Sequence, residues 1–377
     1  MAVPRIGYAI VLAGGAGTRL WPASTRSNPK QFLRIGGRKS LLELTLERAL
    51  ALDVRKILIV THQSQAESVA REISALPQIA ERSVIISEPA ARNTAPALAL
   101  AARYLSSIGA TDEISIVMPA DHLITPLSTF TADAAVAAEI AHSRYLVTFG
   151  IRPSRPETGY GYIETGDTLG SGWYVHSFRE KPDQATAIHY LKAGNYYWNS
   201  GMFVFRNDFF RAELAERSPE VADQVDRLGD EFPLRRVHGV PVCGDMAELS
   251  SLYASLPSIS IDYALMEKSA RRAMVAARFS WNDVGSWDEI AAISETDARE
   301  QGQEAAVTAA AARHSPIFMV EANRCHVESD LPVALCGVDD LHVIVKNGMI
   351  LVCRRGSSQL VKEAVQEMKA EGYERLL

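Results

Sequence analysis

Short apolar runs alternate with amphipathic stretches along the first 150 residues. Each run is rich in Ile and Val, which is typical of strands buried on both faces of a sheet. We predict strands at 6–13, 56–60, 83–87, 113–118 and 145–150, and helices at 41–52, 65–76, 95–106 and 128–142. Because strand and helix alternate at this spacing, we expect right-handed βαβ units and a mainly parallel sheet covered by helices.

The pattern changes after residue 158, where Gly, Tyr and Trp become frequent. The segments 158–166, 170–182 and 196–205 predict antiparallel strands that decorate one edge of the sheet. Helical periodicity returns at 208–217 and 262–269, and Asp262 stands where the N-cap of the second helix belongs.

A second region follows the Ala-rich stretch 304–315, which predicts a short helix or a linker. We therefore expect a domain at 1–303 and a smaller one at 304–377. From residue 326, short Val and Ile runs separated by Gly or Asp predict a small all-β region. Residues 358–376 predict an amphipathic helix, with an apolar side formed by Leu360, Val361, Ala364, Val365 and Met368.

Composition and charge narrow the class of protein. The 377 residues are 47% hydrophobic and 22% charged, with a formal net charge of −6. An acidic chain is not expected to bind nucleic acid in general, and no run of about 18 apolar residues predicts a membrane span. The four cysteines are far apart and form no CxxC pair, which favours a reduced, cytoplasmic protein.

The first predicted strand runs directly into a glycine-rich loop, "VLAGGAGTRLWPAS" at 11–24. A dinucleotide fingerprint requires a third glycine where Leu20 stands, which disfavours a NAD-binding oxidoreductase, and a Walker loop requires a Gly-Lys-Ser/Thr sequence that is absent. What remains is a loop of backbone N–H donors with a cation at Arg19, suited to a bound anion. The alternative is a tight turn that binds nothing.

Eight blocks in order give the chain a family resemblance. "LAGGAGTRLWPASTRSNPKQFL", "SEPAARNTAPALALAA", "VMPADHLI", "ETGYGYIE", "FREKPD", "WNSGMFVF", "SIDYALMEKS" and "WNDVGSWDEI" cover most of its length. Together they resemble the sugar-1-phosphate nucleotidyltransferases, and within them the mannose-1-phosphate guanylyltransferases. The resemblance implies a Rossmann-like, glycosyltransferase-A-like α/β domain, followed by a small left-handed β-helix-like domain.

The implied reaction is GTP plus mannose 1-phosphate giving GDP-mannose and diphosphate. The nucleophile is already an anion, so catalysis rests on positioning and on neutralising crowded negative charge. The resemblance implies that the nucleotide phosphates bind to the loop and to two cations, Arg19 and Lys30. The residues that it implies for nucleotide binding in this region are Leu12, Ala13, Gly14, Gly15, Gly17, Thr18, Arg19 and Lys30.

Two carboxylates are the candidates for a metal site. Asp121 follows the strand at 113–118, at the sheet edge where open α/β proteins bind ligands, and Asp283 lies in "WNDVGSW". By resemblance both hold one Mg²⁺, and Asp121 also contacts the nucleotide. Each has a structural alternative, a turn or N-cap for Asp121 and an Asx-turn for Asp283. His122 is a candidate neighbour of Asp121.

Sugar and base recognition are assigned to other blocks. The resemblance implies a sugar-phosphate pocket formed by Gly159, Glu180, Lys181 and Asn199, although a lone Lys is more often a solvated surface residue. Glu88 is our candidate for guanine, because a carboxylate can accept from N1–H and N2–H₂ together. Asn93 and Thr94 open a helix, where capping and nucleotide binding are compatible roles.

Two rivals remain beside this interpretation. One is a sister transferase of the GDP-heptose or dTDP-glucose type, and the other is a non-catalytic regulatory subunit that senses nucleotide sugars. The regulatory subunit is expected to lose a cation or a metal carboxylate, yet this sequence keeps Arg19, Lys30, Asp121 and Asp283. We expect no phosphomannose isomerase activity, because no cluster of metal-binding His is seen. The resemblance is compatible with a homodimer.

Overall fold

The computed structural model describes residues 4–15, 17–35, 39–244, 246–300, 308–311 and 316–377. The chain forms two compact units. The first contains Met1–Gly14, Thr45–Ala120 and Ile124–Trp281, and the second contains Gly15–Leu44, Asp121–Leu123 and Asn282–Leu377. The predicted boundary at 303/304 lies outside the described residues, as does most of the Ala-rich stretch 304–315.

The strands and helices follow the predicted alternation closely in the first half of the chain. The strands are β1 (Ile6–Ala13), β2 (Lys56–His62), β3 (Ser83–Glu88), β4 (Ile114–Pro119), β5 (Leu123–Thr125), β6 (Leu146–Ile151), β7 (Tyr162–Leu169), β8 (Gly172–Arg179), β9 (Tyr196–Arg206), β10 (Leu234–Val237), β11 (Val240–Cys243), β12 (Arg272–Ala276), β13 (Ser280–Asn282), β14 (Thr308–Ala311), β15 (Ile317–Val320), β16 (His326–Ser329), β17 (Val333–Cys336), β18 (Leu341–Lys346) and β19 (Met349–Arg354). The helices are α1 (Leu41–Ala51), α2 (Ala66–Ser74), α3 (Pro77–Ala80), α4 (Thr94–Ser107), α5 (Leu127–His142), α6 (Gln184–Ala193), α7 (Asn207–Arg217), α8 (Pro219–Asp226), α9 (Ala247–Ser255), α10 (Trp287–Glu300) and α11 (Val361–Ala370).

The first unit is built on an 11-stranded mixed sheet with the order β10-β11-β3-β2-β1-β4-β9-β6-β12-β8-β7. Strands β11, β3, β2, β1 and β4 are parallel neighbours, as the βαβ pattern predicts. The core strands β1 to β4 are almost entirely buried, and α4 contributes a continuous run of buried residues against them. Their carboxyl ends therefore meet at one edge of the sheet.

The prediction that the antiparallel strands lie at one edge is wrong for β9. This strand pairs antiparallel with both β4 and β6, so it lies inside the sheet, while β7 and β8 form the edge. Alternation of polar and apolar residues indicates that a segment is a strand, but it carries no information about which strands become its neighbours. The hairpin β10–β11 was not predicted, because its first strand is mostly exposed.

The second unit contains a coil of short parallel strands. Strand β16 pairs in parallel with β18 and β15 with β17, each partner lying sixteen residues further along the chain. The same spacing recurs in side-chain pairs such as Lys346–Asp330 and Arg324–Asp340. The described part of the Ala-rich stretch is strand β14, which pairs with β16, and so the alternatives of a helix or a linker are wrong there.

The C-terminal helix is shorter than predicted. A 3₁₀ turn at Ser358–Leu360 precedes α11, and a second 3₁₀ turn at Glu374–Leu376 follows it. Gly372, which has a φ of 82°, lies in the left-handed region that commonly ends helices. Val361 and Val365 are buried as predicted, whereas Leu360 is exposed because it precedes the helix. None of the helices in the described ranges is both long and apolar enough to span a bilayer.

Candidate active site

The glycine loop after β1 is held by close packing in the second unit. Gly17 has a φ of 57° and stands before a 3₁₀ turn at Thr18–Leu20. A Cβ atom on Gly17 would lie 2.5 Å from Cβ of Lys30 and 2.6 Å from Oγ of Ser24. Only glycine fits at this position, so the loop can lie directly against the segment that carries Lys30.

We expect Gly17→Ala to lower the free energy of unfolding by roughly 2–4 kcal/mol, from backbone strain together with overpacking. Turnover should fall as well, because the added methyl group displaces Lys30. The control is Gly170→Ala, since Gly170 has a similar φ of 59° but open space around a Cβ atom. Denaturant unfolding measures both variants. Equal losses would mean that the contact with Lys30 contributes nothing.

Lys30 contacts both residues that are predicted to hold the metal. It begins a 3₁₀ turn at Lys30–Phe32 and is only 7% exposed. Its Nζ atom donates to Oδ2 of Asp121 at 2.7 Å and to the main-chain carbonyl of Asp283. Burial acts to raise the pKa of Asp121, but the charges of Lys30 and His122 outweigh it and hold that pKa below its ordinary value. Asp121 is therefore ionised at neutral pH.

The turn that carries Asp283 is stabilised by its neighbours. Oδ1 of Asn282 accepts from the N–H of Val284 at 2.5 Å, so Asn282 makes an Asx-turn in this segment. The turn role that was the alternative for Asp283 stays open. Oε2 of Glu289, one turn into α10, accepts from the N–H of Gly285 at 2.6 Å. Val284 has a φ of 51°, which is strained for a β-branched residue. Asp283 is one of the residues that line the cavity described next.

A cavity of about 290 Å³ gathers these groups within the second unit. Its lining includes Thr18, Arg19, Lys30, Asp121, Asp283 and Gly285. Four of the predicted catalytic residues therefore face one space, with cations and carboxylates side by side. Such a lining suits a polyanion that binds together with a divalent cation.

The carboxylates of Asp121 and Asp283 fit Mg²⁺, because this ion takes oxygen ligands and is usually held by one or two carboxylates with phosphate oxygens and water. Side-chain exposure of 27% leaves Asp121 accessible from the cavity. Within the described ranges, no group of three or more His, Cys, Asp or Glu residues could hold a metal by itself.

Trp21 connects the loop to the rest of the second unit through two hydrogen bonds. Its Nε1 atom donates to the carbonyl of Leu376 at 2.8 Å, and its own carbonyl accepts from Nε1 of Trp287 at 3.1 Å. Trp287 is fully buried in a core that also contains Leu20, Val361 and Val365. The chemistry-bearing loop is therefore packed against both α10 and the C-terminal helix.

In the first unit, Glu88 ends β3 as a buried carboxyl group that is 8% exposed. Burial raises its pKa to about 7, although a hydrogen bond from the hydroxyl of Tyr253, at 3.1 Å, acts in the opposite direction. The fully buried Tyr253 in turn has a pKa well above its ordinary value. Burial of an ionisable carboxyl group costs free energy, so a buried carboxyl group with a shifted pKa is a candidate for ligand recognition.

Asn93 and Thr94 have structural roles at the start of α4. Oδ1 of Asn93 accepts from the N–H of Thr94 at 2.9 Å, and the φ of Asn93 is 67°. Oγ1 of Thr94 accepts from the N–H of Ile261 at 2.8 Å. The predicted capping role is confirmed for Asn93, and nucleotide binding by the pair stays a prediction.

Asn199 lies at the centre of a polar cluster in the first unit. Its Oδ1 atom accepts from Thr148 at 3.0 Å and from the N–H of Gly201 at 3.1 Å, while its Nδ2 atom donates to Asp262 at 3.0 Å. Burial and the charge of Glu180 raise the pKa of Asp262 to about 6. The predicted N-cap role of Asp262 is wrong, because Asp262 is the first residue of a π-helical turn, Asp262–Met266, whose N-cap is Ile261.

Glu180 and Lys181 adjoin the same cluster. A Cβ atom on Gly161 would lie 2.3 Å from Oε2 of Glu180 and 3.3 Å from Cβ of Asn199, so Gly161 allows these side chains to approach. The N–H of Gly159 donates to Glu157 at 3.0 Å. Lys181 is well exposed, has a φ of 45° and pairs with Glu180 at 3.2 Å.

Two residues in these clusters escaped sequence reasoning. Gly161 could have been found from the repeated Gly-Tyr of "TGYGY". Lys362, which lines the cavity with Arg19 and Lys30, carries no local signal. It is one more Lys on the polar side of an amphipathic helix.

Comparison with known proteins finds a family model and several similar proteins that match most of this chain. A model of the Nucleotidyl transferase family matches residues 8–300. The xanthan biosynthesis protein XanB of Xanthomonas campestris pv. campestris is 38% identical over 364 residues, covering 96% of this chain and 73% of that protein. The mannose-1-phosphate guanylyltransferase of Escherichia coli is 37% identical over 366 residues, with coverage of 96% and 73%.

The fold also matches a solved structure over nearly its whole length. A crystal structure described as mannose-1-phosphate geranyltransferase from Thermus thermophilus aligns with a TM-score of 0.80 at 33% identity. The match covers 96% of this chain and 99% of that chain. Mixed sheets and helices in this arrangement are therefore shared with that protein.

Proposed function

Because this chain belongs to the Nucleotidyl transferase family, we propose that it is a mannose-1-phosphate guanylyltransferase. It would join GTP and α-D-mannose 1-phosphate to give GDP-mannose and diphosphate. The observation that carries this function is the cavity in which Arg19 and Lys30 stand beside Asp121 and Asp283. Relatives that bear this name, such as the Escherichia coli protein, support the choice of substrates.

The residues of this chain bind and orient two anions without a general base. The phosphate oxygen of the sugar phosphate attacks the α-phosphate of GTP, and its negative charge makes deprotonation unnecessary. Arg19, Lys30 and the backbone donors of the loop neutralise charge that builds up on the departing diphosphate. Mg²⁺ held by Asp121 and Asp283 would supply further neutralisation of the phosphate oxygens.

Recognition of mannose 1-phosphate is assigned to the polar cluster around Asn199. Glu180, Lys181 and Asn199 offer donors and acceptors for several hydroxyl groups and for a phosphate. Glycines in "TGYGY" allow a sugar ring to approach the backbone. This assignment is supported by the hydrogen bonds within the cluster.

A panel assay tests the proposed function. Diphosphate release is measured with GTP, UTP, dTTP and ATP against mannose, glucose and other hexose 1-phosphates, with and without Mg²⁺. We expect turnover of GTP with mannose 1-phosphate only when Mg²⁺ is present. Preferred turnover of dTTP with glucose 1-phosphate would identify a sister transferase instead, and no turnover with any pair would favour a regulatory subunit.

Guanine recognition by Glu88 is tested with Glu88→Gln. The carboxylate is the form that accepts from both N–H groups of guanine, and its pKa of about 7 makes this form scarce at low pH. We therefore expect the KM for GTP to rise as the pH falls from 8 to 6. The variant should lose much of its preference for GTP over UTP and this pH dependence. An unchanged preference would remove Glu88 from base recognition.

Glu88→Gln is expected to stabilise the folded protein, although it weakens the proposed recognition of guanine. The pKa of Glu88 is raised in the folded state, so the native state loses stability as the pH rises from about 4.5 to 7, and the full penalty remains above 7. We expect Glu88→Gln to stabilise the protein by up to about 3 kcal/mol at pH 8 and very little at pH 4. Denaturant unfolding at the two pH values measures this difference.

Three finer predictions accompany the proposed function. We propose that the coil of β14 to β18 is left-handed, as the family resemblance implies, and its sixteen-residue repeat supports a β-helix. A cytoplasmic location is supported by the scattered cysteines. Association as a homodimer stays a prediction, which light scattering can test.

A further inference from the structure

Among the described residues of the C-terminal helix, only Lys362 lines the 290 Å³ cavity of Arg19, Lys30, Asp121 and Asp283, which we call the phosphate cavity after its proposed ligand. It follows Val361 at the start of α11, and its side chain is exposed. The same cavity is lined by Arg19, Lys30 and the two carboxylates. The C-terminal end of the chain therefore contributes a cation to a space that is otherwise formed by the loop, Asp121 and Asp283.

The cations that line the cavity differ in how many hydrogen bonds and ion pairs they form within the protein. Lys30 donates to both Asp121 and the carbonyl of Asp283, so its ammonium group is largely satisfied within the protein. Neither Arg19 nor Lys362 forms an ion pair or a side-chain hydrogen bond with any residue in the described ranges. These two side chains can donate to a ligand without first breaking a contact within that part of the protein.

The position of Lys362 is set by the burial of its neighbours. Val361 and Val365 lie one helical turn apart and are 2% and 7% exposed, packed in the core with Leu20 and Trp287. Because Val361 is close-packed in this core, the backbone of the adjacent Lys362 is held in place with it. Lys362 is thus held beside the loop turn that carries Arg19.

A second anchor holds the segment that leads into the helix. Asp288, in the first turn of α10, accepts from the N–H of Gly356 at 2.6 Å and from both the N–H and the hydroxyl of Ser358. The fully buried His342 contacts the same carboxylate at 2.8 Å. The start of α11 is therefore ordered by charge-assisted hydrogen bonds as well as by apolar packing.

We propose that Lys362 is a substrate-binding residue whose ammonium group contacts the β- and γ-phosphates of the nucleoside triphosphate and then the departing diphosphate. The inference rests on the proposed function, because it assumes a triphosphate substrate. Two cations that line one cavity and have no ion pair among the described residues match a group that carries several negative charges. The candidate for the sugar phosphate, Lys181, belongs to the separate cluster around Asn199.

The test compares Lys362→Met, which keeps the apolar stem, with Lys369→Met as the control. Lys369 lies in the last turn of the same helix, is exposed and does not line the cavity. We expect Lys362→Met to raise the KM for GTP, and for diphosphate in the reverse reaction, about tenfold. The KM for mannose 1-phosphate should stay unchanged, and Lys362→Arg should recover part of the loss.

A binding measurement separates this inference from the proposed function. Calorimetry with inorganic tripolyphosphate and Mg²⁺ needs no turnover, and we expect about tenfold weaker binding to Lys362→Met than to the wild type or Lys369→Met. Equal binding and equal KM values in a variant with a normal unfolding temperature would overturn the proposal. So would a rise confined to the KM for the sugar phosphate. Weaker tripolyphosphate binding in a protein that does not turn over GTP would contradict only the proposed function.

Discussion

Asp121→Ala and Asp283→Ala are each expected to lower turnover of GTP with mannose 1-phosphate by about a thousandfold or more. Both side chains line the phosphate cavity, and they are its carboxylates. Removing either one would halve the carboxylates that are proposed to hold Mg²⁺. The charge of the crowded phosphates would then have no divalent counter-ion in a fixed position.

The Asp121 variant also disturbs Lys30, so loss of metal and loss of ion pairing must be separated. Asp121→Asn keeps the size of the side chain, and titration with Mg²⁺ reports whether the metal requirement changes. Asp330→Ala is the matched control, because Asp330 forms an ion pair with Lys346 at 2.6 Å, comparable with the 2.7 Å of the Lys30–Asp121 pair, and does not line this cavity. Near-normal rates for either cavity variant would contradict the metal assignment.

Lys30→Met is expected to lower turnover by about a hundredfold or more, with a smaller loss of stability. Lys30 is 7% exposed and bridges Asp121 to the carbonyl of Asp283, so its loss leaves a partly buried carboxylate without its main counter-charge. Methionine retains the length and the apolar stem. The defect should therefore reflect the missing ammonium group and not a cavity in the packing.

Lys346→Met serves as the control for Lys30→Met. Lys346 is ion-paired to Asp330 in the second unit and lines a different cavity. Steady-state kinetics and thermal unfolding are measured for both variants. If Lys30→Met loses stability but retains turnover, Lys30 only positions Asp121, and its proposed contact with the triphosphate is wrong.

The sheet strands of the first half were predictable because each carries its own signal. Strand β1 ends at the predicted residue, and β2, β3, β4 and β6 lie within two residues of the predicted bounds. A strand that is buried on both faces must be apolar throughout, so its sequence reports its burial directly. The helices between these strands follow from the 3.6-residue period in the same way.

The neighbours of a strand were not predictable in this way. Strand β9 lies between β4 and β6 because its two edges pair with strands distant in sequence, and alternation of residue types is the same at an edge or at the centre. The extent of α11 was overestimated for a related reason. The apolar pattern continues through the 3₁₀ turns on either side, although Gly372 ends the regular helix.

The amino-acid sequence by itself determined which residue types are candidates for the site. Whereas Asp283 and the shared metal role of the two carboxylates came from the family resemblance, the glycine loop, Arg19, Lys30 and Asp121 were identified by their residue types and by their places in or after predicted strands. These properties are local, since a carboxylate after a buried strand or a glycine before a turn follows from a few adjacent residues.

Only the tertiary structure decided which of these groups meet. It brought Lys30 to both Asp121 and Asp283, which are 91 and 253 positions away along the chain. It also brought Lys362 into the lining of the cavity that contains Arg19, and Asp262 into hydrogen-bond contact with Asn199. Such contacts arise when distant elements bury a shared core, here around Leu20, Trp287 and Val361. A local pattern records that a side chain is polar, but its partner is chosen by the packing of the whole unit.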